Sequence, residues 1–232
     1  MSAPLAPDRA HELPPELARL DDRFVLDVRE VVIGARGWRL ERPRSVDDLI
    51  NADDFARDER LPYWADLWPS AIALATAVST LRGAGGRALE LGCGLGLPAL
   101  CAADAGFDVT ATDYYDDALR FARRNAARNL GRDIATRLVD WRVFPGDLGR
   151  FDLVLASDVL YEREYAVLVA RAVVQSLAPG GIALVADPGR AALEGFRRAC
   201  VDLGASVSVH QVSHHEHDAA GHQITIHEVR LG

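Results

Sequence analysis

RALELGCGLGLPALCAADAG, residues 87–106, decides the fold. RALEL is a short apolar run, GCGLG follows it directly, and LPALCAADAG reads as a helix with Pro98 in its first turn and Gly106 as its stop. A strand that passes through glycines into a helix is the opening unit of an open parallel α/β sheet. Glu90, Gly92, Gly94 and Gly96 frame a turn whose backbone can bend sharply and approach a ligand, with the helix amides behind it. The spacing is G-x-G-x-G. Leu97 stands where a dinucleotide-binding turn carries its last glycine, which weakens that reading.

Working toward the C-terminus, FDVTATD is a second strand and YDDALRFARRNAARNLG a helix. Asp116 and Asp117 lie at the positive end of that helix, arginines lie toward its negative end, and Gly131 follows. TRLVDW, FDLVLASD and GIALVADP are three further strands, the last two separated by the helical YAVLVARAVVQSLAPGG. After the helix AALEGFRRACVDLG come ASVSVHQV and HQITIHEV, joined too tightly for a crossover and so predicted antiparallel. Toward the N-terminus, PSAIALATAVSTL is a helix opened by Pro69, SVDDLINADDFARDER an acidic helix capped by Ser45, and RFVLDVREVVIGARGWRLERP a hairpin around Gly-Ala-Arg-Gly. PPELARL is a short helix within a loosely ordered first twenty residues. The expected fold is α/β: a mostly parallel seven-stranded sheet covered on both faces, with a C-terminal antiparallel hairpin. Residues 1–60 form an N-terminal hairpin and helix extension, and 61–232 form one domain.

Composition narrows the partners. The 232 residues carry a formal charge of -8 and a pI near 5.3, which argues against nucleic acid held by counterion release. A basic protein or a small molecule fits better. All 26 basic side chains are arginine, as a compositional bias explains. Cys93, Cys101 and Cys200 form no CxxC pair and no zinc spacing, and read as reduced thiols of a cytoplasmic protein. No run approaches the roughly 20 apolar residues of a membrane span, and the first residues lack a signal-peptide core. A soluble, cytoplasmic chain, monomeric and away from membranes, is expected.

Ligands of such sheets sit beyond the carboxyl ends of the strands. Asp113 closes the second strand 23 residues after Glu90, where a carboxylate can accept from both hydroxyls of a ribose. Asp140 and Trp141 close the third, a carboxylate and an indole suited to the edge and face of adenine; edge packing is the other reading of Trp141. Tyr114 covers the ribose or packs against the next helix. SDVLYEREY, residues 157–165, ends the fourth strand. Asp158 and Tyr161 there are either a cap and a core aromatic or a place of chemistry. Arg190, in DPGR after the fifth strand, meets an acidic substrate surface or the cofactor, or caps its own turn. The histidine-rich run between His210 and His227 reads as a solvated hairpin tip rather than a metal site, and the acidic run as a solvated helix rather than a docking face for a basic substrate.

Together, ELGCGLG, Asp113 and the terminal hairpin resemble the class I S-adenosylmethionine-dependent methyltransferases. PYWADLWPSAIALA, SDVLY and DPGR are similar to the family-16 protein lysine methyltransferases, in the branch that includes the electron-transfer-flavoprotein β-subunit lysine methyltransferase. The resemblance covers about residues 60–230; Tyr63 and Ser70-Ala71-Ile72 depart from that branch. It implies S-adenosylmethionine as cofactor and no metal. Trp68 would lie near its methionine part, and Gly92, Gly94 and Gly96 would wrap it, with Glu90, Tyr114 and Ser157 beside them. Asp113 would take the ribose, and Asp140 with Trp141 would frame adenine. Asp158 and Tyr161 match D-x-x-Y, which implies the acceptor amine and the transfer site. The implied activity is N-methylation of a protein lysine. Methylation of a small amine and a non-catalytic cofactor-binding module are the alternatives.

Overall fold

A computed structural model describes residues 13–45, 49, 62–214 and 223–232. The expected acidic helix, apart from Ser45 and Leu49, lies outside the described residues, as do residues 1–12 and the turn from His215 to His222.

The extension begins with two short helices, α1 (Pro15–Ala18) and α2 (Leu20–Arg23). A hairpin follows, β1 (Leu26–Ile33) against β2 (Arg36–Pro43), turning through Gly34 and Ala35. The main sheet contains β3 (Arg87–Leu91), β4 (Asp108–Asp113), β5 (Ala135–Leu138), β6 (Phe151–Ser157), β7 (Leu177–Asp187), β8 (Ala205–His214) and β9 (Gln223–Leu231). Their order is β5-β4-β3-β6-β7-β9-β8, parallel from β5 to β7 and antiparallel at both β9 contacts. The predicted mostly parallel sheet and terminal hairpin are therefore present. The connecting helices are α3 (Pro69–Ser79), α4 (Leu97–Asp104), α5 (Asp116–Leu130), α6 (Tyr165–Ser176) and α7 (Leu193–Asp202).

Strand alternation divides the interior into two cores. Ala88, Leu153 and Leu155 pack toward α3, α4 and α5, whereas Leu89, Leu91, Val154 and Ala156 pack toward α6 and α7. After β3 the chain adds β4 and β5 on one side and then crosses to place β6 on the other. The loops after β3 and β6 consequently diverge and leave a crevice between them, the switch point of the sheet.

Among the boundaries that differ from expectation, two have a visible cause. β5 stops at Leu138 because the Asp140 carboxylate accepts from the Arg142 amide at 2.9 Å and opens a 3-10 turn over Trp141–Val143. β7 begins at Leu177, earlier than GIALVADP, and a register shift between Phe151 and Leu153 absorbs the extra residues.

The extension shares the first core, to which it contributes Leu20, Ile33, Trp38 and Leu40. Asn125 and Asn129, one turn apart on α5, act as a surrogate strand along β2. Their carboxamides accept from the Glu41 and Arg39 amides at 2.8 and 3.0 Å and donate back to the same residues' carbonyls. Arg124, 1% exposed, donates to the Leu17 carbonyl and the Asp21 carboxylate at 2.8 Å and also pairs with Glu41. Arg124→Met strands these acceptors and is expected to cost about 3 kcal/mol of unfolding free energy in chemical denaturation. A loss below about 1 kcal/mol would show that the asparagine hydrogen bonds and apolar contacts hold the extension without this arginine.

Candidate active site

A cleft of about 400 Å³ opens at the switch point, within the size range of small-molecule sites. One end is built by the turn after β3. Gly92, at φ +67°, lies where a Cβ would come within 3.1 Å of Val159 and 3.2 Å of the Trp141 ring. Gly96, at φ +85°, lies where a Cβ would come within 2.9 Å of Ala122 on α5. Glycine at the first lets Trp141 close over the turn, and at the second lets helix and turn touch.

Asp113 ends β4 facing this turn. Its two oxygens accept from the Gly94 and Tyr115 amides, each at 3.0 Å. Burial pushes its carboxyl above the ordinary carboxylate value, against the pull of those amides. Tyr114 stands on the same wall with the Arg142 guanidinium 5.7 Å from its ring centre. Asp140, expected as an acceptor toward adenine, is chelated by Arg142, whose Nε and Nη2 reach its carboxylate at 3.0 and 2.8 Å. What Asp140 and Trp141 present to the cleft is therefore an ion pair and an indole.

The other end is built after β6. Ser157 lines the cleft, and the Asp158 amide donates to the Ala186 carbonyl at 3.0 Å, prolonging the ladder with β7. Asp158 has φ +59°, one of two positive-φ non-glycine residues described. That conformation is costly for a residue with a Cβ, though aspartate bears it better than most. Its carboxylate is met by Arg190 from the loop after β7, Nε at 2.5 Å from Oδ1 and Nη2 on the same oxygen. Of the three readings of Arg190, none included this pair.

Aromatic rings join the two ends. Ring-centre distances are 6.0 Å from Trp68 to Tyr63, 5.7 Å from Tyr63 to Tyr161, 5.0 Å from Tyr161 to Tyr165 and 5.4 Å from Tyr165 to Trp141. Tyr63 and Tyr165 were given no role from sequence. The signal for Tyr63 lay inside PYWADLWPS, since the Trp68 indole donates to the Tyr63 carbonyl at 2.9 Å.

Glu90 alone of the expected site residues does not line the cleft. It is fully buried behind the turn, and Oε2 accepts from the Ala99 amide at 2.9 Å, holding the first turn of α4. Burial raises its carboxyl well above 4.5. Between the unfolded value and that raised value the folded chain keeps a proton that the unfolded chain has lost, so stability falls as pH climbs through the window. Glu90→Gln, which keeps a carbonyl for Ala99, is expected to melt about 2–4 °C above wild type at about pH 8 and to converge with it near about pH 4. An equal gap at both pH values would contradict this.

The sheet order, the glycine turn and the cleft beyond it define a Rossmann-like α/β fold with a mostly parallel seven-stranded sheet and an antiparallel C-terminal hairpin. Residues 88–181 match the family described as a methyltransferase domain. The electron transfer flavoprotein beta subunit lysine methyltransferase of Xenopus laevis is 32% identical over 136 residues, 56% of this chain and 54% of that protein. Protein N-lysine methyltransferase METTL21A of Xenopus tropicalis is 29% identical over 112 residues, 46% of this chain and 52% of that protein. The chain thus matches about half the length of these curated relatives. Among solved structures, magnesium protoporphyrin IX methyltransferase from Synechocystis PCC 6803 with bound SAM superposes with a TM-score of 0.56 at 18% identity, covering 80% of this chain and 94% of that one. That likeness concerns the fold. No described helix is long and apolar enough to cross a membrane.

Proposed function

We propose that this chain is an S-adenosylmethionine-dependent N-methyltransferase of the cytoplasm, acting on a lysine side chain of a protein. The observation that carries this reading is one cleft with a ribose-compatible carboxylate, Asp113, at its glycine end and a carboxylate within an aromatic wall, Asp158, at the other. The names of the two relatives above support lysine as the acceptor.

The residues fit the cofactor. The positive-φ glycines let Trp141 and α5 close around the turn that faces the cleft, and Asp113 is fixed by two amides with lone pairs to spare. Gly92, Gly94, Gly96 and Asp113 would hold it, with Trp68, Tyr114, Trp141 and Ser157 around it and the Asp140–Arg142 pair at the rim. When bound it would supply an electrophilic sulfonium methyl for an amine lone pair, the electron pair of the broken methyl–sulfur bond remaining on sulfur. Asp158 accepts an N–H from the acceptor and offsets the positive charge that grows on nitrogen. Tyr161, with Tyr63, lends a ring face to that cation and excludes water. Alignment supplies most of the rate, since no strong base is needed once the amine is neutral.

Tritiated S-adenosylmethionine incubated with the chain and the lysate of a cell lacking it should label a discrete protein band. Label confined to small molecules would move the acceptor to a metabolite amine. No label despite cofactor binding would leave a binding module.

A further inference from the structure

A carboxylate alone at the transfer site presents a difficulty. It favours the ammonium form of a lysine, which has no lone pair and does not react. The structure contains an answer in the Arg190 guanidinium, which sits on Asp158 Oδ1 and stands 6.0 Å from the Trp68 ring. The pair is held in place from both sides. Asp158 is fixed by its amide to Ala186, and the Asp187 carboxylate accepts from the Gly189 and Arg190 amides, each at 2.7 Å. The Asp158 side chain is 7% exposed, so water screens the pair weakly.

We propose that Arg190 is a positioning residue that offsets the Asp158 charge, so that the cleft takes its acceptor as the neutral amine rather than the ammonium. The inference rests on the methyl-transfer reading above. The acceptor gives its proton to water on entering, and its lone pair is then available. Asp158 Oδ2 lies outside the Arg190 contacts and is the oxygen assigned to the acceptor N–H.

Other charged and titratable groups face this point. Asp187 is buried beside it and, through burial, binds a proton more readily than an ordinary aspartate. Glu162 and Tyr161 follow on the same loop and are exposed. Tyr63 and Asp66 come from the segment before α3, with Asp66 paired to Arg42. Asp113 and the Asp140–Arg142 pair line the far end of the cleft. Arg190 is thus the cation that touches Asp158, and removing it leaves a net negative acceptor end.

The consequence is specific in pH. Arg190→Gln is expected to move the ascending limb of the pH–rate profile upward by about one unit or more. Its rate should fall below wild type near neutrality and meet or pass it at the alkaline end, where the amine is neutral in both proteins. Passing is expected because Arg190 also opposes the charge that grows on nitrogen during transfer. Arg190→Lys keeps the charge and should overlay wild type to within about half a unit.

The assay measures tritium transfer from labelled S-adenosylmethionine to the lysate, across about pH 6.5 to about pH 10. Label is read in whichever fraction accepts it, and cofactor affinity within a few-fold of wild type serves as the check on folding. A Gln variant depressed by one factor at every pH, or unchanged at every pH, overturns the inference. So does a Lys variant that shifts like Gln. Label in small molecules alone overturns the protein acceptor but leaves the amine chemistry to be read on that fraction. No label in either fraction overturns both.

Discussion

Asp158→Asn is expected to bind S-adenosylmethionine within a few-fold of wild type and to transfer methyl at least about 100-fold more slowly, about 2.7 kcal/mol of transition-state stabilisation. Asparagine is the informative replacement because it tolerates positive φ about as well as aspartate, so the φ of +59° is kept without new strain. What is lost is the charge, and with it both the offset of the growing ammonium and the partner of Arg190. The substitution lies at the end of the cleft away from the Gly94–Asp113 contact, so cofactor binding should be spared. Full activity in Asp158→Asn, at wild-type cofactor affinity, would return the residue to architecture. Single-turnover rates at saturating cofactor separate these outcomes.

The second large effect is expected at the opposite end. Asp113→Ala should weaken S-adenosylmethionine binding by at least about 30-fold, roughly 2 kcal/mol, as the loss of a charged acceptor facing two hydroxyls predicts. The same change leaves the Gly94 and Tyr115 amides without their acceptor, so the glycine turn should loosen as well. Calorimetric titration measures the affinity, and the melting temperature of the free protein measures the loosening. Affinity unchanged from wild type would remove the cofactor assignment from this end of the cleft, whatever happened to stability.

Much of the architecture could be read along the chain because its signals are local. Apolar runs ending at Leu91, Asp113 and Ser157 mark buried parallel strands, Pro69 opens a helix, and Gly131 closes one at φ +68°. The short link before β9 forces an antiparallel edge. The strand limit at Leu138 was missed because a side chain set it: Asp140 captures the amide two residues on. Glu90 illustrates the opposite failure. Its place in the glycine motif suggested a ligand contact, whereas strand alternation turns it inward to α4. The Arg190–Asp158 pair links residues at the ends of two strands, and no local pattern reports that those strands are neighbours. The aromatic wall draws its rings from three separate segments, so the places of Tyr63 and Tyr165 in it were hidden until the topology assembled them. Arg124 was likewise hidden among the arginines of α5, where only docking of the extension distinguishes it from its half-buried neighbours.

The most direct measurement is the amino-acid analysis of label transferred from tritiated S-adenosylmethionine to the proteins of a lysate. This chain contains no lysine, so labelled lysine cannot come from its own side chains. The account predicts N-methylated lysine in the hydrolysate with the wild-type protein, and its loss, to about 1% or less, with Asp158→Asn. Label on any other amino acid, or methyl-lysine formed equally by wild type and Asp158→Asn, would contradict it.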